Sequence, residues 1–365
     1  MKLSVLFIVM FLPIMVLAQK TKSNISNLVI GTYTQPGKSE GLYVYEFNST
    51  TGALVYKAKA AGVTNPSFLA ISKDHNFVYA VNETGRETPG GVSAFKFDSK
   101  SGTLTLLNKV KSMGDDPCYI STDKKGKHVF VANYSGGNLS AFRVHKNGIL
   151  SDAVQVIQHE GSGPNKSRQE KAHVHSTIIS PDGKYLLSAD LGTDKVYVYK
   201  IHNGNSGNIL TAQEPPFTTV PAGSGPRHLD FHPNGKFAYL IHELTGDVSV
   251  YKYHKGKLEK IQTVSMLAPD FKGQTGAADI HVSPDGKFLY ASNRGDANDI
   301  VIFSIQPDGT ISLAGRQSTL GKGPRNFAMD PEGNFLLAAK TAADFRRNGA
   351  DVALGNAGQI RRHGA

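Results

Sequence analysis

Apolar and polar residues alternate in short runs along this chain, and each run ends at a turn. Residues 175–180 and 185–189 alternate on either side of Ser180-Pro181-Asp182-Gly183-Lys184-Tyr185. A Gly-Thr-Asp turn follows 185–191, then 195–201 alternates again, then come a Gly/Asn-rich loop and a weaker strand pattern. Residues 66–72, 77–83, 91–98 and 104–110 repeat the scheme, and no stretch carries the 3.6-residue helical period. Period-two runs bounded by Gly, Pro and Asp predict antiparallel strands grouped in fours.

The turn phrase recurs as His232-Pro233-Asn234-Gly235-Lys236-Phe237 and Ser283-Pro284-Asp285-Gly286-Lys287-Phe288, with degraded copies at 72–77, 123–128 and 330–335. Gly126, Gly183, Gly235, Gly286 and Gly333 stand 57, 52, 51 and 47 residues apart. Pro presets φ, Asp or Asn caps the turn, and Gly supplies a positive φ. A period of about fifty residues with four strands per unit predicts an all-β fold, a β-propeller. The six copies supply blades two to seven. Residues 28–33, 41–47 and 53–58 supply three strands of another, so seven blades of four antiparallel strands are expected.

Both ends break the pattern. Lys2 precedes a nearly unbroken apolar run over 3–17, and Val16 and Ala18 offer a small-residue cleavage site, so 1–18 reads as a secretory signal peptide. Such a run is short for a membrane span, and export to the periplasm or beyond the cell is expected. The propeller is assigned to 19–339. Residues 340–365 hold six Ala, four Gly and four Arg with little alternation, which is poor strand material. This atypical tail, read as out of frame or truncated, predicts an incomplete last blade and ring closure. Composition adds three points. Trp is absent, against a Trp-Asp repeat. Cys118 is the single cysteine, so no disulfide framework is possible. The net charge of +10 falls largely on turn lysines with few interleaved aromatics, which points away from nucleic acid and toward solubility and anionic ligands.

Chemistry emerges when the repeats are laid in register. Strand A precedes the turn phrase and strand B follows it. The residue that opens strand A is His175, Arg227, Ala278 or Arg325, with Ser67 and Cys118 in the same place in blades two and three. The far end of strand B carries Glu83, Tyr134, Leu191, Glu243 or Arg294. Antiparallel pairing brings these two sets to one face, and innermost strands line a propeller's channel. His175, Arg227, Glu243, Arg294 and Arg325 are therefore expected at one channel mouth, opposite the lysine turns. Their nearest structural alternative is a polar plug of the channel. His173 and His175 form His-x-His on one side of a strand, but no further His or Cys pattern suits a metal, and none is assigned.

Residues 172–184, 189–196, 225–243 and 291–295 resemble the seven-bladed propeller 6-phosphogluconolactonase family, related to the carboxy-muconate lactonizing enzymes. The resemblance spans roughly 28–339. It implies lactone hydrolysis, with His175, Arg227, Glu243 and Arg294 as active-site residues and no cofactor. Relatives commonly carry Asn where His242 stands. The implied substrate is 6-phosphogluconolactone or a related aldonolactone. Water would be activated by Glu243 or His175, and Arg227, Arg294, Arg325 and His173 would bind an anionic substrate. The Gly-x-Ser-x-Gly string at 37–41 leads into a strand pattern and not into a helix, so it is no nucleophile elbow, which favours direct water attack. An exported binding propeller, or a lactonizing cyclase, is the alternative. A monomer is expected.

Overall fold

The computed structural model describes residues 24–34, 39–85, 87–204, 208–340 and the backbone of 352–356. The expected signal peptide and most of the tail lie outside these residues. The described chain forms seven antiparallel sheets and no helix. Blades two to six occupy 69–111, 117–158, 178–219, 226–265 and 277–318 and have four strands each. Blade one, 25–61, and blade seven, 324–356, have three.

The turn phrase acts through its own side chains. Ser180 Oγ donates to Asp182 at 2.6 Å and accepts the Tyr185 amide at 3.0 Å, while Gly183 N donates to the Ser180 carbonyl. Gly183 has φ 69°. The degraded copy at 72–77 keeps this wiring and puts His75 at φ 60°, so its turn survives without the glycine.

Burial follows position along each blade. The B strands lie between neighbouring blades, and His128–Asn133, Tyr185–Asp190 and Phe237–His242 are buried at every position. Strands C and D follow B in the four-stranded blades, and the D strands form the rim and alternate, as in Leu150–Gln158. Each pair of neighbouring blades encloses its own apolar cluster. Fourteen buried residues fill the joint between blades five and six, whereas among the described residues Phe47, Phe335 and Leu337 form the buried cluster where blade seven meets blade one.

Three details depart from expectation or refine it. In blade four the A strand shrinks from the expected 175–180 to Ile178–Ile179. Asp190 Oδ1 takes the His173 amide at 2.8 Å, so a side chain replaces part of the ladder there, although His175 N still donates to the Ala189 carbonyl. Within the tail, Val352–Asn356 pairs with Phe335–Lys340. Blade one has B-, C- and D-type strands, but no A strand among the described residues. Ring closure is thus incomplete among the described residues.

Candidate active site

The site grows from the repeat register. Glu243 ends the buried B strand of blade five, where Glu243 N donates to the Gly225 carbonyl. That anchor aims its carboxylate at the start of its own A strand. Arg227 Nε reaches Glu243 Oε2 at 2.8 Å, and Arg294, ending the B strand of blade six, reaches the same oxygen at 3.0 Å. His175 Nε2 stands 3.8 Å from that oxygen, beyond hydrogen-bond range. Three of the expected residues therefore surround the carboxylate of a fourth.

A fifth group was not visible in the register. Arg168 lies in the long loop between blades three and four and donates to Glu243 Oε1 at 2.6 Å and to Tyr134 Oη at 3.3 Å. The loop is pinned by fully buried Gln169, whose Nε2 donates to the Leu191 carbonyl and whose Oε1 accepts the Asn165 amide. The exceptional length of this connection in a chain of short turns is the only sequence signal for it.

The guanidiniums differ in access. The Arg227 side chain is 1 % exposed and also donates to the Ala278 carbonyl, so it faces protein. Those of Arg294 and Arg168 are 21 % and 41 % exposed. Arg325, from blade seven, pairs with Glu83 of blade two at 3.6 Å. Glu83 also accepts from Tyr33 Oη at 2.9 Å and from Ser67 Oγ. His173 lies behind Tyr134, stacked on its ring, with its two nitrogens against the Tyr134 carbonyl and Glu170.

Below this mouth, side chains of several blades meet across the ring. Phe68 stacks on Tyr119, and the His228 ring packs edge-on against Phe68, Tyr119 and His175. His228 Nδ1 lies 2.8 Å from Asp279, which also binds His281 and Asn326. A plug does exist, but it lies beneath the charged mouth and gives it a floor.

Electrostatics sort the roles. Burial alone would raise the Glu243 carboxyl, yet Arg294, Arg227 and Arg168 outweigh it and hold it down at about 2. Burial pushes Arg227 down to about 10, helped by Arg294 and Arg325, so it remains a cation at neutral pH. Burial, then Arg227 and His228, hold His175 well below the usual imidazole value, and the ring is neutral. Cys118 Sγ lies 3.7 Å from His175 Nδ1, and burial keeps the thiol protonated. Counting Arg168, Arg227, Arg294 and Arg325 against Glu243 and Glu83, the mouth has four positive charges and two negative, a surplus of two.

Seven antiparallel blades around a charged, floored mouth define a propeller of the enzyme type. The sequence matches the family described as "Lactonase, 7-bladed beta-propeller" over residues 27–361, and the chain belongs to that family. It is 38 % identical over 327 residues to a 6-phosphogluconolactonase of Formosa agariphila, covering 88 % of this chain and 92 % of that one. It is 37 % identical over 313 residues to a 6-phosphogluconolactonase of Bacillus subtilis, covering 85 % and 86 %. Among solved structures it is similar to a periplasmic gluconolactonase of Pseudomonas aeruginosa, with TM-score 0.84, 38 % identity and coverage of 90 % and 94 %.

Proposed function

We propose that this protein opens a sugar lactone bearing an anionic group, 6-phosphogluconolactone or a related aldonolactone, by water attack in the channel mouth. The observation that carries the reading is a neutral imidazole, His175, 3.8 Å from a carboxylate whose guanidinium partners include two open to solvent. A cluster of buried charges contributes little net stability, because desolvation offsets the pairing. Chemistry is the better reason for its presence.

Glu243 is a poor base here, since both its oxygens accept from guanidiniums and its pKa is about 2. His175 is the base. Its Nε2 takes a proton from water as the oxygen bonds to the lactone carbonyl carbon, and Glu243 steadies the imidazolium. Arg294 faces the developing oxyanion. The ring C–O bond then breaks, the ring oxygen recovers the proton from His175, and the acid product ionises. A strongly depressed imidazole pKa favours that return. Arg168 and Arg325 hold the substrate's anionic group in fork geometry, Arg227 fixes Glu243, and His173 supports Tyr134. Export to the periplasm or beyond fits the apolar leader and the periplasmic relative.

The test is hydrolysis above the spontaneous rate across aldonolactones with and without phosphate. His175→Asn should lower kcat by about 10²–10⁴-fold. Arg294→Ala should lower kcat as well as raise KM, because its charge meets the transition state. Turnover of no lactone, or an unchanged kcat in His175→Asn, would overturn the proposal.

A further inference from the structure

The turn face, opposite the mouth, carries a groove of about 700 Å³ at the joint of blades two and three. The turns at 72–77 and 123–128 and the hairpin at 145–148 build it, with Asn203 of the loop after Lys195–Ile201 added from blade four. Five cations line it, Lys73, Lys125, Lys127, Arg143 and Lys146. Asp74 is the one carboxylate among the described residues of its wall, and the Ser72 hydroxyl and Asn76 amide already occupy its oxygens at 2.6 and 2.8 Å. None of the four lysines forms an ion pair among the described residues. Like charges converging on one concavity repel, and a matching anion relieves that repulsion.

A second, independent observation points into the same groove. Tyr79 lines it, is 1 % exposed, and its buried hydroxyl has no hydrogen-bond partner among the described residues. The repeat supplies the comparison. Tyr239 holds the equivalent place in blade five, and its hydroxyl donates to the Gly309 carbonyl of the neighbouring hairpin at 3.1 Å. In blade three the matching hairpin ends at Gly148, packed against Phe77, and the Tyr79 hydroxyl gains no such bond. A buried donor left unmade is costly, so a partner entering the groove gains from it.

We propose that this groove is a second binding site, for a small organic phosphate. The volume lies within the range of small-molecule sites, about 300–1,000 Å³. Lysines around the opening meet phosphate oxygens, while Phe77, Tyr79 and Val144 give an apolar surface for a sugar or base. The site is separate from the lactone mouth and independent of the reading given to it.

Calorimetric titration with pyrophosphate, glucose 6-phosphate and ATP tests it on the whole protein. Saturable binding of at least one probe is expected. Joint substitution Lys73→Ala, Lys127→Ala and Lys146→Ala should weaken it at least about tenfold, since charge-assisted bonds to the phosphate are lost. Tyr79→Phe should weaken it about threefold or more while the fold is kept, as no internal bond is lost. Substituting Lys184, Lys236 and Lys287 together, or Arg168 alone, should leave binding unchanged. No saturable binding, equal loss in both lysine triples, or loss confined to Arg168→Ala would overturn the proposal. So would binding of heparin or DNA in place of every small probe.

Discussion

His242 shows how a single residue can make a fold sensitive to acid. It closes the B strand of blade five, where Asn82, Asn133 and Asn293 close theirs. The asparagines tie that strand end to neighbouring segments, as when Asn82 donates to the Thr64 carbonyl and accepts from Ser93. The His242 ring bonds Ser249 at 2.8 Å, and its buried Nδ1 has no partner among the described residues. Burial, then Lys260, lowers its pKa from 6.5 to about 4. The unfolded chain therefore binds a proton at a pH where the folded chain does not, and stability falls as pH drops from 6.5 toward 4. The loss should reach about 2 kcal/mol by pH 5, at about 1.4 kcal/mol per unit. His242→Asn should melt higher than the natural protein at pH 5, with a smaller difference at pH 7.5. Equal gains at both pH values would mean that packing, and not protonation, limits the histidine.

Among elements, the loop between blades three and four is the one that the repeat does not explain. Fully buried Gln169 holds it and thereby aims Arg168. Gln169→Ala should act like Arg168→Ala, raising KM for phosphorylated lactones about tenfold with kcat changed much less. Steady-state kinetics of both variants check this, and an unaffected KM in Gln169→Ala would show that the loop keeps its shape without that residue. The same loop marks how far sequence reasoning reaches. His175, Arg227, Glu243 and Arg294 were legible because a fixed turn phrase puts them in register, and register is geometry in a repeat protein. Arg168 lies outside the repeat, so nothing in the register aligns it with Glu243. The short A strand of blade four was hidden for a similar reason. Its backbone donor at His173 is satisfied by the Asp190 side chain, a substitution that alternation cannot show.

At the scale of the whole molecule, the joints between blades are unequal. Among the described residues, the buried cluster joining blades seven and one is Phe47, Phe335 and Leu337, with Phe47 and Phe335 edge-to-face at 5.6 Å. Above it, Arg325 of blade seven reaches past blade one to Glu83 of blade two. Phe335→Ala should cost about 3 kcal/mol, the low end for a buried aromatic. Hydrogen exchange should rise first in Gly41–Asn48 and Phe335–Lys340, where the described residues form the smallest buried cluster of any joint. Uniform acceleration around the ring would show instead that the blades unfold as one cooperative unit.

The span of the mouth along the chain has a kinetic consequence. Each blade can form its hairpins from residues close in sequence, whereas the clasp between Glu83 and Arg325 joins positions 242 apart (325 − 83). Local pairing precedes long loop closure. On dilution from denaturant, β-sheet circular dichroism should therefore return before lactone turnover, and the lag measures the time the seventh blade takes to find the first two. A proteolytic pulse during that lag should cut at the joint between blades seven and one, while blades two to six already resist.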